Sequence, residues 1–283
     1  MASTAFEDKL GRAWDRSGAS LCVGLDPILE RLPPRCAAAA RPILAFNRYI
    51  VDLVGDLVCA FKPQAAHHAA YGAEQDLADT IAYIRQTQPH AVVILDAKRG
   101  DIGSTADMYA KEAFERYDAD AVTVNPYMGD DTILPFLGRD DRAAVVLCRT
   151  SNPDAGRIQD VAAEGGPVFA AVARRAETVW SRHGNVMLVV GATSAAEDIA
   201  TVRRMAPSLT LLAPGIGEQG GSIDALMGAG ARDDGRGLIP SASRSVLYAG
   251  AAEAIRAAAE ALHGQLAWRE AGAARTSSVA GVG

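Results

Sequence analysis

The sequence predicts a (β/α)8 barrel, and three observations predict it. Eight short runs rich in Val, Leu, Ile and Ala recur along the chain, each followed by Gly, Pro or a polar residue. These runs are almost continuously apolar rather than alternating, the pattern of parallel strands covered on both faces. Amphipathic or Ala-rich segments of helical length lie between them, and eight strand–helix alternations over roughly 250 residues suit a closed barrel better than an open doubly wound sheet.

The eight strands, in order, are "SLCVGLDP" from Ser20, "LVCAFKPQ" from Leu57, "AVVILDAKRGD" from Ala91 and "AVTVNPY" from Ala121. They continue with "AAVVLCRTS" from Ala143, "VMLVVGATS" from Val186, "LTLLAPGIG" from Leu209 and "GLIPSASRS" from Gly237. The spacing predicts helices over 41–55, 74–86, 105–117, 168–183, 195–205 and 251–263. Residues 152–167 read as a long connection after the fifth strand, and 228–237 as a Gly/Asp-rich loop before the eighth. No linker divides the pattern, so residues 1–270 are expected to form one barrel domain. The small, polar stretch 271–283 is expected to be a disordered tail.

Composition narrows the functional classes. With 283 residues, 49% hydrophobic and 22% charged, the chain can bury a large core without disulfides or metal. A net charge of −6 supplies no basic footprint, which argues against nucleic acid as the main partner. The N-terminal stretch carries acids early and lacks a long apolar core, so it does not read as a signal peptide. No run reaches the roughly 18 apolar residues of a membrane span, and a cytoplasmic location is expected. Cys22, Cys59 and Cys148 sit in apolar runs and Cys36 in a loop or helix start. They lack the close pairing of zinc sites and read as buried, reduced thiols.

In a barrel the carboxyl ends of the strands form one mouth, and chemistry sits there. The strand ends present Asp26, then Lys62, then Asp96 and Lys98 with Asp101 in the following turn. The fifth ends at Thr150 and Ser151, the seventh opens into Pro214, Gly215, Gly217 and Gln219, and the eighth ends at Ser243, Arg244 and Ser245. A single charge after a strand is ordinarily a solvated loop residue or a helix cap. Asp96 and Lys98 stand two apart, however, and so share a face of the strand that points into the mouth.

Two lysines alternating with carboxylates hold one another in their charged forms. Each opposite pair contributes on the order of 4 kcal/mol at about 4 Å and an effective dielectric of about 20. Lys98 is therefore suited to donate a proton rather than to attack as a free amine. "APGIGEQGGS" and "SASRS" have the make-up of the phosphate cradle that barrels build after strands seven and eight. Glycines admit backbone N–H groups, and Arg244 can grip oxygens bidentately.

Other residues are weaker candidates. His67 and His68 lack metal-ligand spacing and are expected to be solvated. Asn125, Tyr127 and Met128 are expected to shape the mouth rather than react, and Arg99 to face away with a structural role. Ser151 and His183 suggest no triad.

Taken in order, "VGLDP", "FKPQ", "LDAKRGDI", "TSNP", "PGIGEQGG" and "SASRS" resemble the orotidine 5′-phosphate decarboxylase family, in particular its longer bacterial (type 2) variety, from Ala19 to Ala249. The resemblance implies a lyase making UMP in pyrimidine biosynthesis. Asp96, Lys98, Asp101 and Lys62 would form a charged tetrad, with Lys98 protonating C6 of the pyrimidine. Asp26, Lys62 and Thr105 would hold ribose hydroxyls, Ser151 and Pro214 would border the base, and Gln219 and Arg244 would bind phosphate. It further implies a homodimer in which Asp101 and Thr105 reach the partner's site, and no metal or organic cofactor.

Two other readings stay open on the residues alone. A sister barrel with the same Asp-x-Lys-x-x-Asp run uses magnesium, which calls for a carboxylate after strand two where this chain has Lys62. A non-catalytic phosphate-binding barrel is the other, though a binding module has little use for so costly a charge cluster.

Overall fold

The computed structural model describes residues 4–217 and 222–267; Gln219 and the expected tail 271–283 lie outside the described residues. Eight parallel strands close into a barrel: β1 Cys22–Leu25, β2 Ala60–Pro63, β3 Val92–Arg99, β4 Ala121–Val124, β5 Ala143–Arg149, β6 Val186–Val190, β7 Thr210–Pro214 and β8 Leu238–Ala242. β8 returns to β1 through Cys22 opposite Ser241 and Val23 opposite Ala242. The predicted barrel and all eight strand positions are borne out.

Around it run α1 Ala5–Ser17, α2 Pro42–Val54, α3 Glu74–Thr87, α4 Gly103–Lys111, α5 Val168–Thr178, α6 Ala196–Met205, α7 Ile223–Gly230 and α8 Ala252–Leu266. Among the described residues, no helix is long and apolar enough to cross a membrane. All four cysteines are buried and free, and among the described residues no group of His, Cys, Asp or Glu is arranged to hold a metal ion.

The strand–helix alternation lapses once. After β4 the chain makes only two 3-10 turns, Asp130–Thr132 and Leu134–Phe136, because Gly129 at φ 104° and Pro135 inside the second turn interrupt any longer helix. The segment expected as one helix over 105–117 is α4 followed by a π-helical turn, Glu112–Arg116. The loop expected over 228–237 begins later, since α7 runs to Gly230.

Side chains sort by strand parity into two cores. Val93 and Leu95 of β3 face outward to the helices, whereas Val92 and Ile94 fill the barrel interior with Cys22, Ala60, Ala121, Val145, Met187, Leu212 and Ile239. The base of that interior is sealed by α1, whose Phe6, Leu10, Ala13 and Trp14 join the inner cluster. The helix is started by a capping box, with Thr4 Oγ1 accepting from Glu7 N at 3.2 Å and Glu7 Oε2 accepting from Thr4 N at 3.2 Å. Gly18, left-handed at φ 70°, ends it.

Candidate active site

The inward parity that starts in the core continues into the mouth. On β3 the series Val92, Ile94, Asp96 replaces a buried hydrocarbon with a carboxylate at the last step. On β2 the corresponding inward series is Ala60 then Lys62, and on β4 it is Ala121 then Thr123. These three polar ends meet. Asp96 Oδ2 accepts from Lys62 Nζ at 2.9 Å, and Asp96 Oδ1 accepts from Thr123 Oγ1 at 2.9 Å.

Lys98 reaches the same carboxylate by a less regular route. The β3–β4 register shifts between Leu95 and Arg99, and Lys98 takes a left-handed φ of 48°, which few non-glycine residues adopt. Thr123 Oγ1 supports this turn by accepting from both Ala97 N at 3.0 Å and Lys98 N at 2.9 Å. The ammonium then folds back to donate to Asp96 Oδ1 at 2.6 Å. The expectation that Asp96 and Lys98 converge is met, but by a bulge rather than by an even strand. Thr123 was not singled out in the sequence, although counting by twos from Ala121 would have found it.

Electrostatics follow from this packing. Burial alone would push the Lys62 ammonium down, but the Asp96 and Asp26 carboxylates outweigh it and hold the group above its usual value. Burial likewise acts to raise Asp96, and Lys62 and Lys98 outweigh it, leaving the carboxyl well below the usual range. Lys62 and Asp96 are almost wholly buried, whereas the Lys98 side chain is 49% exposed.

Two lobes of cavity open from this cluster, and Asp96 and Pro214 line both. The first, about 190 Å³, is bordered by Asp26, Lys62, Gly215, Ser241, Arg244 and Ser245. Asp26 Oδ1, Ser241 Oγ and Ser245 Oγ are buried there with no hydrogen-bond partner among the described residues, and such groups call for a ligand or water. The second, about 240 Å³, is bordered by Lys98, Thr123, Leu147, Ser151, Val189 and Leu212. Close backbone approach shapes the first lobe. A Cβ at Gly24 would overlap Ser243 Oγ, and one at Gly217, itself at φ +96°, would overlap Ser245 Oγ.

Not every expected residue joins this cluster. Asp101 lies in the turn after β3, where it accepts from Ile102 N at 2.8 Å, and Thr105 is exposed on the first turn of α4; neither lines a lobe. Gln219 falls outside the described residues. Tyr127 is 85% exposed and, like Asn125 and Met128, stands off both lobes. Arg99 does face away, paired to Glu112 at 3.0 Å over the Tyr109 ring.

His68 overturns its expectation of a solvated side chain, for it is completely buried. Its Nδ1 lies 2.9 Å from the Gln64 carbonyl, which can only accept, so Nε2 must accept from Asn47 Nδ2 at 3.0 Å. Burial holds this imidazole below its usual value. His67 is half-buried, with Nδ1 2.9 Å from the Pro27 carbonyl.

Fold and site together define a (β/α)8-barrel enzyme with its chemistry at the carboxyl ends of the strands. Comparison with known proteins supplies the family. A family model described as "Orotidine 5'-phosphate decarboxylase / HUMPS family" matches residues 19–260, and the chain belongs to that family. It is 49% identical over 268 residues to the orotidine 5′-phosphate decarboxylase of Cellvibrio japonicus, covering 93% of this chain and 98% of the relative. With the Ralstonia pickettii protein of the same name it shares 51% over 244 residues, 86% of this chain and 90% of that one. Among solved structures, Leishmania donovani OMP decarboxylase superposes with a TM-score of 0.80 at 38% identity, covering 92% of this chain and 95% of the other.

Proposed function

We propose that this chain decarboxylates orotidine 5′-phosphate to UMP, the last step of de novo pyrimidine synthesis, without metal or organic cofactor. The observation that carries this reading is the Asp96 carboxylate gripped by the Lys62 and Lys98 ammoniums at the seam of the two lobes. The nucleotide would lie across that seam. Its base would enter the second lobe beside Ser151, Pro214 and Lys98. Its ribose hydroxyls would meet Asp26, Lys62 and, contributed across a dimer interface, the partner subunit's Thr105, and its phosphate would lie in the first lobe at Arg244, with Gln219 completing the grip.

The C6–carboxylate bond breaks with its electron pair left on C6, carbon dioxide departs, and Lys98 Nζ delivers a proton to C6. An ammonium aimed at C6 stabilises the developing carbanion and then quenches it. Asp96 beside the departing carboxylate adds ground-state repulsion, but strain of this kind supplies only about 1–5 kcal/mol. Enzymes lower barriers by roughly 8–23 kcal/mol, so electrostatic stabilisation from Lys98 and phosphate binding energy must provide most of the effect.

The working unit in this reading is a homodimer, with Asp101 and Thr105 completing the partner's site. Their position off both lobes of their own chain supports that role. Mixing Lys98→Ala with Asp101→Ala subunits should restore part of the activity through hybrid dimers. No restoration after demonstrated subunit exchange counts against a shared site.

The reaction is tested by following orotidine 5′-phosphate absorbance with EDTA present. Turnover despite chelation is the expected result. Dependence on added magnesium would select the sister family, and silence would select a non-catalytic binder.

A further inference from the structure

We propose that Gln159, on the connection after β5, is a positioning residue that sets Ser151 at the base lobe. The inference rests on the nucleotide reading of that lobe. Past Arg149, which pairs with Val190 as the last register of β5, the chain has no strand partner for the Thr150 N–H. Gln159 takes that place with both ends of its amide. Its Oε1 accepts from Thr150 N at 2.9 Å, and its Nε2 donates to Thr150 Oγ1 at 2.7 Å. Thr150 Oγ1 passes its own proton on to Asn152 Oδ1 at 2.7 Å.

The turn Thr150–Ser151–Asn152 that this amide holds lines the base lobe. Ser151 is seated from the opposite side on the bare α-carbon of Gly191, where a Cβ would come within 2.6 Å of Ser151 Cβ. The segment carrying Gln159 is itself stapled back to the barrel. Arg149 bridges Asp160 and Asp198 of α6, each at 2.8 Å. An otherwise exposed connection thus acts on the site through one side-chain amide. Losing the amide frees the turn that presents Ser151 while leaving untouched the phosphate end of the first lobe, which Gly215, Ser243, Arg244 and Ser245 border after β7 and β8.

The test compares the binding of UMP and of D-ribose 5-phosphate, which lacks a base, to the full-length wild type, Gln159→Ala and Gln159→Glu, with turnover measured in parallel. Gln159→Ala is expected to weaken UMP by about tenfold and raise KM while kcat changes little, with ribose 5-phosphate binding unchanged. Gln159→Glu, which keeps an acceptor for Thr150 N, should fall between. Unchanged UMP affinity in Gln159→Ala, or equal weakening of both ligands, overturns the inference. If the alanine variant does not fold, the glutamate variant decides: selective UMP weakening supports the role, and wild-type affinity for both ligands overturns it. Failure of the wild type itself to turn over orotidine 5′-phosphate overturns the functional reading and this inference with it, whereas a competent wild type beside an unaffected variant overturns the inference alone.

Discussion

Lys62 Nζ stands 2.9 Å from Asp96 Oδ2, with side-chain exposures of 5% and 6%. A pair so deeply buried is held together as much by the cost of separating it as by attraction, since either charge alone would be left in a poorly solvated interior. Asp96→Ala should therefore lower stability by about 3–5 kcal/mol, read from the shift in urea midpoint. Replacing both residues with leucine should recover much of that loss while turnover stays absent. A single variant as stable as the wild type would show that the pair is not mutually dependent.

The same pair sets a pH dependence. Asp96 titrates below its ordinary value, so its contribution is full above the unfolded pKa of about 3.9 and fades as pH falls through the lower folded value. Lys62 titrates above its ordinary value, so its contribution is full below the unfolded pKa of about 10.4 and fades as pH rises through the higher folded value. The stability gap between wild type and Asp96→Asn should be widest between about pH 5 and 10 and narrow on acidification. Urea titrations at acid and neutral pH measure it, and a gap that widens toward acid contradicts the assignment.

Lys98 contrasts with Lys62. Its half-exposed side chain can be cut away without stranding Asp96, which keeps Lys62 and Thr123 as partners. Lys98→Ala should cost no more than about 1 kcal/mol of stability, abolish turnover and retain nucleotide binding. Near-normal rates in that variant would refute the proposed proton transfer.

Gly24 is required for space rather than for a special dihedral. An alanine there overlaps Ser243 Oγ, so the Ser243 side chain, next to Arg244, must move. Gly24→Ala should raise KM by about tenfold or more through a phosphate-end misplacement, with only a small change in the melting temperature. Unaltered steady-state kinetics would place the phosphate contacts elsewhere.

Trp14 tests the seal at the opposite end of the barrel. It is 4% exposed in the inner cluster, so Trp14→Ala should cost about 3–5 kcal/mol. Well below the melting temperature kcat should stay near the wild-type value, because the cluster that binds Asp96 is built from β2, β3 and β4. A large loss of kcat in folded protein would mean that the base of the barrel is coupled to its mouth.

Much of the site is legible in one dimension because a strand has a period of two. Once Val92 and Ile94 are placed inside, Asp96 must follow them, and Ala60 likewise commits Lys62. His68 was not legible, since the partner that neutralises its burial is Asn47 on α2, 21 residues away, and no local spacing marks the pair. The role of α1 was not legible for a similar reason. Its capping box is a local signal, but the surface that its apolar face covers exists only after eight strands have closed.

The order of hydrophobic runs, the turn residues between them and the chemistry placed at each strand end are properties of the chain itself, because they depend on local periodicity and side-chain type. Which of those ends share one carboxylate, how the left-handed turn at Lys98 is braced by Thr123, and which buried polar atoms find a partner were decided only by closure of the barrel. Closure sets distances between residues dozens of positions apart, and charge–charge and hydrogen-bond energies depend on those distances rather than on sequence separation.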